Sequence, residues 1–510
     1  MTELTIPTQR EVRPRVPSHR AKPRPSLRAE LAAALTGLAV LAWLVVQYPF
    51  WGDHAVFALM GRQILQGEVL YTQLWDIKQP GIFLWYGLVD LLGFGEIGSR
   101  VFDVLAALAL GALVRRLLWR RVATPWVRRW VPALVPAALF LGAGPGDFGQ
   151  LEILCLVPAV GAFVLVAAVP GSLPTLGRLA GAGVCLGVVG VFKLPLAAVP
   201  AAAIVLYLLL ALPRARLASI VVVTAFAVLP VSATLAWLGA HGALDAALHT
   251  WIVDAADMGA APGSRSLSRL AEGALRYVEY LSPAIVLGLW QAGTALRRRD
   301  PLDLAMAAWI VVNVGVIALQ FGWWYQWYSL SAPLLILAIR RLDALAPRLA
   351  PGAPRRALAV TLVAAVCVPM LAHGGKLLAE MAVDGGGFTA ASRARIAQRD
   401  ADQGTMRAEI AAVGITAQDR LYVLGNPLYN YLSDHPLVVR TDGWGFDLMS
   451  ARQWQDLAGE VQAARPTLVL VQPDAVPWIQ DRGAGISTVL AGDYTVIRTS
   501  AEGTWYRLRA

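Results

Sequence analysis

IFLWYGLVDLLGFG, residues 82–95, decides how this chain is threaded. It is apolar, but only about 12 residues are continuously so, against the roughly 20 that a membrane-crossing helix needs. It therefore reads as an interfacial or re-entrant piece. Before it lies the polar and aromatic stretch WGDHAVFALMGRQILQGEVLYTQLWDIKQPG (51–81), and before that an apolar run from Leu31 to Tyr48. After it comes a long apolar run, about 98–118, running into Arg115, Arg116, Arg120, Arg121, Arg128 and Arg129. If 82–94 crossed a bilayer, that arginine cluster would fall on the outer side, against the preference of basic loops for the cytoplasm.

With that segment kept at the interface, the remaining runs take their places. The basic arm with Arg10, Arg13, Arg15, Arg20, Lys22, Arg24 and Arg28 holds the N-terminus inside. No small-residue cleavage site follows the first run, so it reads as an uncleaved span at about 29–48. Further spans follow at about 98–118, 130–143, 152–170, 179–192, 196–212, 218–238, 274–295, 302–320, 329–340 and 357–373. Arginine-rich ends fall inside after every even span, at 115–129, Arg178, Arg214 with Arg216, Arg297–Arg299, and Arg340 with Arg341. The fold class expected is a polytopic α-helical membrane protein of about 11 spans with a C-terminal extracytoplasmic α/β domain. Residues 1–28 form a disordered basic cytoplasmic arm, 29–373 the membrane domain with a first outer loop at 49–97, and 374–510 the outer domain.

Composition agrees. The 510 residues are 57% hydrophobic and 15% charged, with a mean hydropathy of +0.55, too little charge to cover a soluble protein of this length. The net charge of +10 lies in the loops beside the apolar runs, while the tail after residue 374 carries 13 basic and 15 acidic side chains. The excess belongs to membrane orientation, and nucleic acid is set aside as a partner. Cys155, Cys185 and Cys367 lie in apolar runs and read as small buried hydrophobes. In the tail, RLYVLG, PLVVR, TLVLVQ, YTVIRTS and TWYRL read as strands, with helices near 390–413 and 450–464 and a hairpin turn at TSAEG.

Candidate chemistry sits where ionisable residues escape the basic-loop pattern, because charge at membrane depth needs a partner or a task. Asp53, between Trp51 and His54, reads either as a base for a hydroxyl or as the N-cap of HAVFALMGRQIL. Asp76 and Lys78, in a loop turned by Pro80 and Gly81, read as a phosphate-holding cation with its counter-ion or as an interfacial salt bridge. Arg100 and Asp103, one turn apart, read as a structural pair. Asp147, Gln150 and Glu152 in GDFGQLE form a second acidic loop, either solvating or able to bind an acceptor or cation. Lys193 in VFKLP is a snorkelling or phosphate-capturing lysine. GWWYQWY brings Tyr325 and Gln326 in an aromatic belt or a substrate wall. In the tail, GNPLYNYLSDHP offers Asn426, Tyr429, Tyr431 and His435 as acceptor contacts, beside a plainer role for the domain as a structural cap. GFGEIG (93–98) matches a dinucleotide fingerprint but has no βαβ unit around it and is rejected. No Walker A, HExxH or GxSxG elbow supports ATP-driven, zinc or serine chemistry.

Over roughly residues 30–340 these features resemble the GT-C superfamily of integral membrane glycosyltransferases. The similarity is to the subgroup with protein O-mannosyltransferases and lipid A aminoarabinose transferases. The residues carrying it are Asp53, the MGRQILQGEVLY helix, the WDIKQPG turn, Arg100, the acid of GQLEIL and Lys193. The family's Lys-Pro-Pro-Gly keeps only its second proline, as Pro80, and its Tyr-His is Tyr325-Gln326 here. The resemblance implies a polyprenyl-phosphate sugar donor, a cell-envelope glycan, lipid or protein acceptor, and inverting transfer on the outer face of a bacterial inner membrane. By the same resemblance Asp53 would be the base. Lys78, Lys193, Arg62 and Arg100 would neutralise the leaving phosphate. Glu152, Asp147 and Asp76 would form an acceptor or second acidic site, with His54, Tyr325 and Gln326 lining it. Asp53 and Glu152 are candidate ligands of a divalent cation, Mg or Mn; no other cofactor is implied. The competing readings are a transporter or flippase of a lipid-linked saccharide and a non-catalytic binding protein of the same fold.

Overall fold

The computed structural model describes residues 27–349 and 387–510, apart from 94, 145, 168, 170–171, 213–214, 261–265 and 321, together with the isolated Val368. The helices of the first part are α1 (Leu27–Val46), α2 (Gly52–Leu65), α3 (Gly81–Asp90), α4 (Gly95–Leu118), α5 (Pro125–Gly142), α6 (Leu151–Leu154), α7 (Leu156–Ala167) and α8 (Leu176–Phe192). They continue as α9 (Leu194–Ala211), α10 (Arg216–Ala240), α11 (Leu244–His249), α12 (Ala255–Ala260), α13 (Leu267–Arg298), α14 (Pro301–Leu319) and α15 (Ser331–Leu345). Ten of the expected spans coincide with these helices. The eleventh, at 357–373, and the basic arm fall outside the described residues, save the isolated Val368 and the last two residues of the arm. Among the described residues, four helices are by length and composition apolar enough to cross a membrane: α4, α9, α10 and α14. α3 has ten residues, about 15 Å of helix, half of what a crossing needs.

Apolar faces and glycines explain the packing. α10 leaves Leu217, Val221, Val228 and Leu229 exposed, the surface a lipid-facing helix presents. Its other side meets α8 at Gly183 and Gly187, where an added Cβ would strike the carbonyls of Val223 and Ala227. Small residues at such positions let two backbones approach closely. α2 and α3 use the same device, since a Cβ on Gly61 would meet the Phe83 carbonyl and the Gly87 amide. This contact fixes the pair of helices, with Asp53 in the first turn of α2 and Lys78 just ahead of α3.

The C-terminal part opens with a helix, Gly387–Val413, and builds a four-stranded sheet in the order β1-β2-β4-β3. β1 (Leu421–Leu424) and β2 (Leu468–Val471) run parallel, while β4 (Gly503–Leu508) is antiparallel to both β2 and β3 (Tyr494–Ser500). β1 and β2 are buried along their whole length, with separate apolar clusters on the two faces of the sheet. PLVVR is not a strand, contrary to the sequence reading. Its backbone faces α2 and the loop after it instead: the Arg440 carbonyl accepts from the Trp75 amide at 2.7 Å, and the Leu437 amide and carbonyl both bond the Gln63 side chain at 3.0 Å. Glu460 holds the Arg440 guanidinium and the Thr441 amide, pinning the segment in this path. Further bridges join the domain to the same end of the helical part, with Arg62 Nη1 on Asp434 at 2.6 Å and Gln403 on Glu96 at 2.7 Å.

Candidate active site

α2 begins immediately before Asp53, but the N-cap is Trp51. The Trp51 amide donates to His54 Nδ1 at 2.9 Å, and this closes the helix start in place of the Asp cap that the sequence suggests. Asp53 stands in the first turn, where the helix dipole favours a carboxylate. Its two oxygens take separate donors. Gln150 Nε2 reaches Oδ2 at 2.9 Å, and Trp444 Nε1, from the C-terminal domain, reaches Oδ1 at 2.8 Å. The close seat of the Trp444 ring requires glycine at 52, where a Cβ would overlap the indole.

The loop before α3 brings Asp76 and Lys78 beside it. Asp76 accepts from the Lys78 amide at 2.8 Å and from its ammonium at 3.3 Å, and the Lys78 ammonium lies 5.0 Å from the centre of the Phe57 ring. Burial pulls this ammonium down, yet Asp76, Asp53 and Asp442 together hold it above the ordinary lysine value. Tyr71, at a left-handed φ of 75°, donates to the Lys78 carbonyl at 2.8 Å and fixes the turn.

These groups line a cleft of about 320 Å³ between the helical part and the C-terminal domain. Asp53, Asp76, Lys78 and Tyr325 of the sequence-expected residues lie on its wall. The C-terminal domain adds the segment 441–449, in which the Asp442 carboxylate accepts from the Trp444 amide at 2.8 Å and shapes the turn. Burial and the charges of Asp76 and Asp53 push Asp442 up to about 8, against the opposing pull of the Trp444 amide and Lys78. Burial likewise raises Asp447, with Arg269 opposing. Sequence reasoning missed Asp442, Trp444, Asp447 and Asp474, and it placed Gln150 in the second acidic loop without its bond to Asp53. The motif TDGWGFD carries a signal in hindsight, since Asp-Gly and Trp-Gly steps mark an exposed turn that holds an aromatic ring out.

The other expected residues lie elsewhere. Lys193, extended at the break between α8 and α9, donates to Glu152 Oε1 at 2.8 Å. Arg62 forms a two-pronged bond with Asp90, at 2.8 and 3.2 Å, and also holds Asp434. Arg100 is fully buried, and its guanidinium bonds Asp103 and the carbonyls of Tyr48, Pro49 and Phe148. His54 is buried behind the cleft. Burial and then Arg100 push its imidazolium down, so the neutral ring donates from Nε2 to the Phe148 carbonyl at 2.6 Å. Asp147 is buried, held by the Gly144 amide at 2.7 Å and raised to about 6 by burial. Gln326 is buried off the cleft. Tyr429 donates to Glu502, His435 bonds Ser433 and Thr416 carbonyls, and Tyr431 packs on Phe50 and Arg62. Asn426 starts the turn of Leu428, so the GNPLYNYLSDHP segment serves the domain's own packing and its seat on α2.

Among the described residues no group of three His, Cys, Asp or Glu side chains is arranged to hold a metal ion. Asp53 and Glu152, the two candidate ligands, each already engage protein donors.

No protein-family model and no curated protein matches the sequence. Solved structures do resemble it. ArnT from Cupriavidus metallidurans bound to undecaprenyl phosphate superimposes with a TM-score of 0.62 over 94% of this chain and 98% of that one, at 15% identity. The apo form of ArnT gives 0.58 at 16% identity, with the same coverage. The apo oligosaccharyltransferase from Archaeoglobus fulgidus gives 0.52 at 12% identity over 95% of this chain and 75% of that one. The resemblance to GT-C membrane glycosyltransferases is therefore a resemblance of fold, and it runs through the helical part and the C-terminal domain together.

Proposed function

We propose that this protein transfers a sugar from a polyprenyl-phosphate donor to a hydroxyl acceptor, with inversion, in the cleft between α2 and the C-terminal domain. The observation that carries the reading is Asp53: a carboxylate on the cleft wall, oriented by two N–H donors, with the Lys78 ammonium in the same cleft. In the transfer the acceptor oxygen attacks the anomeric carbon and the bond from that carbon to the phosphate oxygen breaks. The acceptor proton passes to Asp53, and the leaving phosphate gains the charge that Lys78 neutralises. The fold likeness to ArnT, solved with undecaprenyl phosphate, supports a lipid-phosphate donor. Lys193 and Glu152 serve as a positioning pair beside Tyr325, while Arg62 and Arg100 brace the outer loop and α4. In this account the protein sits in a bacterial inner membrane with its N-terminus inside and the C-terminal domain outside.

The test is sugar transfer by purified protein in lipid, supplied with radiolabelled polyprenyl-phosphate hexoses and pentoses and envelope-derived acceptors. Wild-type transfer and a fall of at least a hundredfold in Asp53→Asn are expected, the loss typical of a removed general base. Undiminished transfer in that variant removes Asp53 from the mechanism.

A further inference from the structure

The chemistry of the cleft wall also restricts the acceptor, and this step rests on the transfer reading above. Among the described residues lining the cleft, the carboxyls are Asp53, Asp76, Asp442, Asp447 and Asp474, and Lys78 is the cation. The aromatic wall is equally pronounced, with Trp51, Trp75, Trp323, Trp324, Tyr325, Trp444 and Phe446 on it. Trp51 is about half exposed, and Trp51 and Trp444 meet edge to face with ring centres 6.0 Å apart. Trp323 and Trp324 also meet edge to face, at 5.6 Å, and are backed by the guanidinium groups of Arg269 and Arg276 at 4.3 and 5.0 Å from their ring centres.

Indole faces set at angles suit a saccharide, whose rings present C–H faces to aromatic carbon and hydroxyls to carboxylates at the edges. A single ammonium can answer a single anionic group, and transfer requires that group to be the donor phosphate. A second phosphate or carboxylate carried by the acceptor would meet carboxyls and indoles on the lining itself, since Arg269 and Arg276 stand behind the tryptophan rings and Arg269 already answers Asp447. Like charges brought together without a partner are the means by which a site rejects a competitor.

We propose that the acceptor is a saccharide without anionic groups, held on the cleft's tryptophans, and that Asp447 and Asp474 exclude phosphorylated and uronate-bearing acceptors. Asp447 and Asp474 belong to the C-terminal domain, so that domain selects the acceptor while α2 supplies the base.

Saturation-transfer NMR on the full chain in lipid nanodiscs tests this without requiring turnover. The probes are the methyl pyranosides of glucose, mannose and galactose, with their 6-phosphates and uronates. The neutral sugars are expected to bind at least tenfold more tightly than their anionic counterparts, a gap of about 1.4 kcal/mol. Asp447→Asn with Asp474→Asn should narrow that gap severalfold, and Trp444→Ala should weaken the neutral sugars by about tenfold. Equal or tighter binding of the anionic forms overturns the proposal, as does failure of every neutral sugar to bind. The transfer reading fails separately, when bound neutral sugars and a lipid-phosphate donor yield no new glycosidic bond in any acceptor tested.

Discussion

The buried pair Lys193–Glu152 offers a quantitative check. The ammonium stands 2.8 Å from Glu152 Oε1, the Glu152 side chain is 2% exposed and the Lys193 side chain 18%. The second carboxylate oxygen, Oε2, is buried without a hydrogen-bond partner among the described residues. Lys193→Met leaves that carboxylate without its counter-charge. Removing one partner of a buried pair costs about 3–5 kcal/mol. The partial exposure of Lys193 reduces this, and about 2–3 kcal/mol is expected once screening is allowed for. Glu152→Gln in the same background should recover most of the loss, because an amide in place of the carboxylate no longer needs a cation. The assay is unfolding by SDS in mixed micelles, followed by tryptophan fluorescence on wild type, both single variants and the double variant. A loss below about 0.5 kcal/mol in Lys193→Met, the size of an ordinary surface change, refutes the reasoning. So does a double variant no better than the single.

Three further outcomes follow from the same geometry. Gly61→Val forces α2 and α3 apart at their closest approach, with an expected loss of about 1–3 kcal/mol in the same SDS assay and of transfer activity with it. Trp444→Phe keeps a ring over Gly52 but removes the N–H held by Asp53, a bond to a charged acceptor worth about 1.5–3 kcal/mol. About tenfold slower transfer with a lowered thermal midpoint is expected, and full activity would show that Trp444 does not orient the base. Asp442, at about 8 in the folded state against about 4 in an unfolded chain, holds its proton longer when folded. Its contribution to stability is complete below about pH 4 and is lost as pH rises toward 8. Thermal midpoints should therefore fall over that range, and Asp442→Asn should flatten the fall; parallel profiles would contradict the assignment.

Much of this arrangement was legible in the residues because it is local or periodic. Apolar runs and arginine placement marked the helices, and the shortness of 82–94 agrees with the ten residues of α3. Asp53, Asp76 and Lys78 were found because charges beside apolar runs demand an explanation. What stayed hidden depends on contacts between distant parts of the chain. Trp444 reaches Asp53 across 391 positions, and no local pattern announces that pairing. Lys193 and Arg62 were read without their partners Glu152 and Asp90, because a sequence shows a charge but not its distant partner, whereas the one-turn spacing of Arg100 and Asp103 did announce their pair. PLVVR has the composition of a strand and lost its place in the sheet to backbone bonds with Gln63 and Trp75. The Asp53 cap gave way to Trp51 because the helix already starts at Gly52, with His54 Nδ1 accepting the Trp51 amide.

The central claim is that Asp53 and Lys78 face one reaction centre roofed by the C-terminal domain. Its most direct test is a cryo-EM structure of the protein in nanodiscs loaded with undecaprenyl phosphate. The account predicts the phosphate within hydrogen-bonding reach of the Lys78 ammonium, about 3 Å, with Asp53 on the opposite side of the space left for the sugar. A phosphate bound away from the cleft, or one bound there with Asp53 turned out of it, would contradict the account.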